Sequence, residues 1–257
     1  MNARRKRLIS ERPLLAKIAQ GSRWLGKDEF PSDELWADEV EKWLQYVEDR
    51  NQFDRFLSRL SDLPAKRDET LAEIKAAYFI EKYAGYSIKN WEPPGNNGTV
   101  GEFSFAFESK ETFCEVKSPG WERAIVESEG PNSPRKTQPK YIPGVEAGLF
   151  DNSRYVRGSI SKAYPKFAGG TPNLLILADD LRVSLTDDPL GVPKALYEPG
   201  NGCFTSGQFS NLGAVAVLNV EHAGSVEYSF CVYHNPMACE SVILPKEVFS
   251  RYKQASD

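Results

Sequence analysis

Apolar residues recur at helical spacing through Trp36, Val40, Trp43, Leu44 and Val47, and Phe53, Phe56, Leu57 and Leu60 continue the pattern. Ser32 serves as N-cap for this run, with acids in its first turn. A further helix is expected from about Pro64 to Ala84, opened by proline and closed by Gly85, with Leu71, Ile74, Tyr78 and Glu81 along one stripe. From Gly101 to Pro119 the period changes to two. Phe103, Phe105 and Phe107 alternate with Glu102, Ser104 and Ala106, and Cys114 and Val116 alternate with Glu115 and Lys117. The stretch PNLLILA reads as a buried, parallel strand. GAVAVLNV reads as another, with VEYSFCVYHN as its hairpin partner across EHAGS.

The hairpin carries the chemistry. A two-residue turn at Ser109 and Lys110 pairs Glu108 with Glu111, placing Glu102 opposite Lys117 and Ser104 opposite Glu115. Glu102 and Glu115 then lie diagonally on one face, with Cβ atoms roughly 7 Å apart. Two carboxylates at that spacing can share a hard cation such as Mg²⁺, whose remaining positions go to water and phosphate oxygens. Lys117 beside them can orient an attacking water or offset charge growing on a phosphate. Two other Glu-x-Lys triplets lack this context: Glu73-Ile74-Lys75 sits on a helix, where a two-residue step turns the pair apart, and Glu108-Ser109-Lys110 falls in the turn.

From Leu71 to about Leu177 the chain resembles the PD-(D/E)XK nuclease superfamily. The likeness lies in the order of a helix with an acid at Glu73, an extended WEPPGNNGT segment, Glu102-Phe103, the strand CEVKSPG, and a lysine-bearing helix before PNLLILA. In place of the family's Pro-Asp stands Gly101-Glu102, a longer carboxylate. The resemblance implies a restriction-endonuclease-like mixed β-sheet flanked by α-helices, here at residues 63–257, with a basic arm and α-helical extension at 1–62. It further implies Glu102 and Glu115 as metal ligands, the Val116 carbonyl as another, Lys117 as the catalytic lysine, and Glu73 as the helix acid. The cofactor implied is Mg²⁺, with Mn²⁺ as a substitute, and the products are a 5′-phosphate and a 3′-hydroxyl. The expected activity is endonucleolytic hydrolysis of nucleic acid, DNA foremost. The rival expectation is a non-catalytic nucleic-acid-binding or assembly protein that keeps the fold.

Charge refines this picture. The chain carries a net charge of −4, yet between Met1 and Lys27 eight basic residues face one acid. Such an arm can contact a phosphate backbone or dock on the acidic helices that follow. Between Ser118 and Gly158 the sequence has no sustained period and is rich in proline and glycine, with Trp121, Arg135, Lys136, Lys140, Tyr141, Arg154 and Arg157 interleaved. Those basic residues, with Lys162 and Lys166, are candidate nucleic-acid contacts. Pro165 must end or kink the helix between the two lysines.

Other chemistries are disfavoured. The four cysteines show no Cys-x-x-Cys pair and read as reduced thiols, and Cys231, His234 and Cys239 are irregularly spaced for zinc. His222 and His234 are the only histidines, neither beside a nucleophile elbow. There is no Walker A loop, dinucleotide fingerprint, membrane-length apolar run or signal-type h-region, so a cytoplasmic location is expected. Expected partners are nucleic acid and either a second copy or another protein docking through the N-terminal helices.

Overall fold

The computed structural model describes residues 3–28, 30–118, 153–179, 191–222 and 224–255. Five helices come first: α1 (Ala3–Ser10), α2 (Pro13–Ala19), α3 (Glu34–Glu48), α4 (Phe53–Leu60) and α5 (Pro64–Lys82). They are followed by β1 (Ile88–Trp91), β2 (Phe103–Phe107), β3 (Lys110–Lys117), α6 (Ser153–Ala163), β4 (Asn173–Asp179), α7 (Val192–Tyr197), β5 (Ala214–His222), β6 (Val226–His234) and β7 (Lys253–Ala255). The strands form one seven-stranded mixed sheet in sequence order. Its middle, β3-β4-β5, is parallel, and β1-β2-β3 and β5-β6 are antiparallel. The chain is therefore α/β, as the alternation of periods predicts. The short outer strands β1 and β7 lie outside that prediction.

Alternation sorts the sheet's side chains into two cores. One face presents Phe103, Phe105, Cys114, Val116, Leu174, Ile176, Ala216 and Leu218 to the N-terminal helices. The other presents Phe113, Leu175, Leu177, Val215 and Val217 to α6 and α7. The central strand is apolar on both faces because both are covered. No helix among the described residues is long and apolar enough to cross a membrane.

Two details differ from the sequence reading. Asp33, not Ser32, caps α3: its carboxylate accepts from the Trp36 amide at 2.9 Å, and Ser32 donates its hydroxyl to the same aspartate. Helix α5 is buried on almost every side, including Ala72, Ala76, Ala77 and Phe79 as well as the expected Leu71 and Ile74. It lies between the sheet and helices α3 and α4, so a single-stripe pattern does not describe it.

The basic arm is folded and largely neutralised within the protein. Arg12 reaches Asp38, with its Nε 2.8 Å from the carboxylate; Arg23 meets Asp62 at 2.7 Å and Lys17 meets Asp54 at 3.7 Å. Arg5 pairs with Asp28 at 3.3 Å and also donates to the Phe30 carbonyl at 2.7 Å. In return Glu41 of α3 accepts from the free amides of Leu14 and Leu15 at the start of α2. Of the alternatives for this arm, docking on the following helices is the one the packing realises.

Candidate active site

The hairpin forms, with a register two residues from the expected one. Its turn is Glu108-Ser109, where Glu108 takes a left-handed φ of 51°, and Phe107 pairs with Lys110 and Phe103 with Cys114. Glu102 consequently approaches Glu115 rather than Lys117, and its amide donates to the Cys114 carbonyl at 3.0 Å. Ser104 pairs with Phe113, not Glu115, and hydrogen-bonds to Glu111. A slip of two preserves every face assignment, which is why the acids and the lysine still converge.

Glu115 is the centre of the arrangement. It is fully buried beneath α6 near the carboxyl end of β3, where its Oε1 accepts from both the Lys117 ammonium and the Lys166 ammonium, the latter at 2.7 Å. Its Oε2 is buried and has no hydrogen-bond partner among the described residues. Burial raises the Glu115 pKa above the usual carboxylate range, and the Lys117 charge opposes that rise.

Lys166 is brought in by Pro165, the residue expected to end or kink the helix. Helix α6 ends at Ala163, and Tyr164-Pro165-Lys166 continues as a 3-10 turn. Phe167 follows and anchors this turn in the core, edge-on to Phe113 at 5.7 Å between ring centres. The Lys166 ammonium thereby lies 3.7 Å from Glu102 as well, spanning two carboxylates. Burial works against its charge, but the bond to Glu115 and the nearby Glu102 and Glu73 raise its pKa overall.

Glu73 reaches the cleft from α5 and is only 7% exposed. Arg59 of α4 clamps it, one guanidinium nitrogen on each carboxylate oxygen at 2.7 Å. Burial, then the charge of Glu102, pushes the Glu73 pKa up to about 7 against the pull of Arg59. Arg59 is the site residue that the sequence reading misses. Its signal is local: an arginine beside the apolar stripe of a helix that immediately precedes the acid-bearing one.

Arg59, Glu73, Glu102, Lys117 and Lys166 line a cleft of about 470 Å³ bounded by α4, α5, the end of β3 and α6, with Glu115 buried behind the two lysines. Six cations (Arg59, Lys66, Lys117, Arg154, Lys162 and Lys166) border it against three acids (Glu69, Glu73 and Glu102), reversing the sign of the chain as a whole. Val116 lines its floor. Of the other candidate contacts, Arg157 turns away from the cleft and pairs with Glu198 at 2.7 Å. Arg135, Lys136 and Lys140 lie outside the described residues, as do Trp121 and Tyr141.

The donor set fits a hard cation in part. Glu102 and Glu115 offer carboxylate oxygens, and the unpartnered Oε2 of Glu115 is a buried acceptor awaiting a donor or an ion. Against this, no group of three or more His, Cys, Asp or Glu side chains is placed to hold one ion among the described residues. That finding also covers the zinc alternative: His234 Nε2 lies 2.8 Å from Gln254 Oε1, and Cys239 is exposed. Comparison with protein-family models, curated proteins and solved structures finds no match to this chain.

Proposed function

We propose that this chain is a metal-dependent nuclease of divergent restriction-endonuclease-like fold, hydrolysing nucleic-acid phosphodiester bonds, with DNA as the principal substrate. The observation that carries the reading is Glu115: a wholly buried carboxylate with one oxygen shared by two lysines and the other unpartnered among the described residues, bonded to Lys117 and Lys166, both of which line a cleft rimmed by cations. Burying such a charge costs several kcal/mol, and a packed apolar residue would avoid that cost, so its placement points to chemistry more than to stability.

Mg²⁺ or Mn²⁺ would be held by Glu102 and Glu115, with Glu73 and the Val116 carbonyl adjoining, and when bound would polarise the phosphate and lower the pKa of a bound water. Lys117 opposes the burial-driven rise in the Glu115 pKa and presents an ammonium where negative charge grows on the phosphate. Lys166 performs the same neutralisation from the opposite wall. Arg59 holds the orientation of Glu73.

One observation favours the binder alternative. Glu115 is already neutralised by two ammonium groups, an arrangement that needs no ion. Calorimetric titration with Mg²⁺ and Mn²⁺ separates the two readings: a nuclease site takes up an ion that Glu115→Gln no longer binds, whereas a binder takes up none. The decisive assay incubates supercoiled, linear and single-stranded DNA, and RNA, with either metal. Cleavage should fall by about a hundredfold or more in Lys117→Ala and Glu115→Gln. Undiminished cleavage in Lys117→Ala would overturn the assignment.

A further inference from the structure

Helix α6 forms one wall of the cleft, and it does so with an unusual triplet. Arg154, Gly158 and Lys162 stand at i, i+4 and i+8, so they share one face along about 12 Å of helix. All three line the cleft, with Tyr155 and Ser159 beside them. Arg154 lies over the Tyr155 ring at 4.6 Å and donates to its phenol oxygen at 2.6 Å, and no carboxylate pairs with Lys162 among the described residues. Between the two cations the helix surface drops to bare backbone.

Among the described residues nothing requires glycine there. A Cβ built on Gly158 meets no atom within 4 Å, and its φ lies outside the left-handed region where glycine is favoured. Glycine in a helix interior is disfavoured relative to alanine, so helix propensity argues for a larger residue at this position and packing leaves room for it. What glycine supplies is space on the cleft side, in the same cleft that Glu102, Glu73 and Lys117 line.

We propose that one nucleic-acid strand lies against α6 across Gly158, its sugar-phosphate backbone in close contact with the helix there and its phosphates held by Arg154 and Lys162 on either side. This rests on the reading of the cleft as a nucleic-acid site and specifies the path of the strand. The contacts are to backbone, so they position the substrate and carry no base sequence. Lys66, on the opposite wall, shares its charge with Glu69 at 3.3 Å and is the weaker phosphate partner.

The test is fluorescence anisotropy with labelled single-stranded DNA, duplex DNA and RNA of equal length, in EDTA, using the full-length chain. Gly158→Leu should weaken binding about tenfold while its melting temperature stays equal or rises. Ser161→Leu, on the same helix but outside the cleft, should bind within about twofold of the parent. Arg154→Gln and Lys162→Gln should each flatten the dependence of log affinity on log salt by about one unit. Parent-like binding by Gly158→Leu would overturn the proposal, as would an equal loss in Ser161→Leu or a fall in melting temperature that accounts for the loss. A parent protein that binds none of the probes overturns both this path and the nucleic-acid reading. Cleavage measured separately in Mg²⁺ distinguishes them otherwise: parent-like binding and cleavage in Gly158→Leu removes only the path, and Gly158-dependent binding without any cleavage removes only the hydrolysis.

Discussion

Glu73 illustrates how a single carboxylate records the conflict inside the cleft. Burial and the neighbouring Glu102 favour its protonated form, and the hydrogen bond and positive charge of Arg59 favour its ionised form; the balance leaves its pKa at about 7 against an ordinary 4.5. A carboxyl whose folded pKa is raised binds its proton more tightly in the folded state. The folded state therefore holds more protons than the unfolded one between these two values, and stability falls as pH rises from about 4.5 to about 7. The full shift corresponds to at most roughly 3 kcal/mol. In EDTA, denaturant midpoints measured from pH 4.5 to 8 should decline across this window, and the decline should be largely absent in Glu73→Gln. Arg59→Gln should steepen it, because the group opposing the shift is lost. A flat parent profile would show that Glu73 stays ionised throughout.

Gly101 controls the element that presents Glu102. A Cβ at this position would come within 2.5 and 2.7 Å of the Phe113 ring and 3.0 Å of the Cys114 carbonyl, so the start of β2 passes β3 at a distance only glycine permits. Phe113 in turn packs against Phe167, next to Lys166. Gly101→Ala should thus disturb both sides of the cleft, costing about 1–3 kcal/mol through overpacking. Thermal unfolding would read the stability loss, and metal titration the accompanying displacement of Glu102.

At this scale the hairpin was legible as a face and illegible as a register. The alternation of Phe103, Phe105, Cys114 and Val116 with Glu102, Glu115 and Lys117 fixes which side chains share a side. It cannot choose between turns at 108–109 and 109–110, since that depends on Glu108 tolerating a left-handed φ. Helix α5 was legible as a helix, with its burial hidden because alanines on its flanks pack as well as they solvate. Lys166 and Arg59 depend on contacts across the fold: one needs Pro165 to redirect the chain toward Glu115, the other needs α4 to lie against α5. No periodicity encodes either meeting.

Across the whole molecule, the N-terminal 62 residues complete the protein instead of decorating it. Trp43, Val40, Phe56 and Leu60 belong to the same continuous core as Leu71 and Ile74 of α5 and Phe103, Leu174 and Leu218 of the sheet. Arg59 from this region reaches into the cleft itself, and Tyr228 of β6 accepts from the Trp43 indole at 2.6 Å, joining α3 to the far half of the sheet. Removing α1–α4 would uncover one side of α5, including wholly buried Leu71, Ile74 and Ile80, with no element left to cover it. Buried aliphatic side chains each contribute about 1.5–3 kcal/mol, so several exposed together exceed the net stability of an ordinary domain. A chain beginning at residue 63 should accordingly show no cooperative unfolding transition by circular dichroism and should bind an apolar dye. Trp43→Ala, at about 3–5 kcal/mol, should reproduce part of that loss in the full chain. If the truncated chain instead melts cooperatively near the parent temperature, the helical region is a separable appendage whose stake in the cleft, among the described residues, is Arg59.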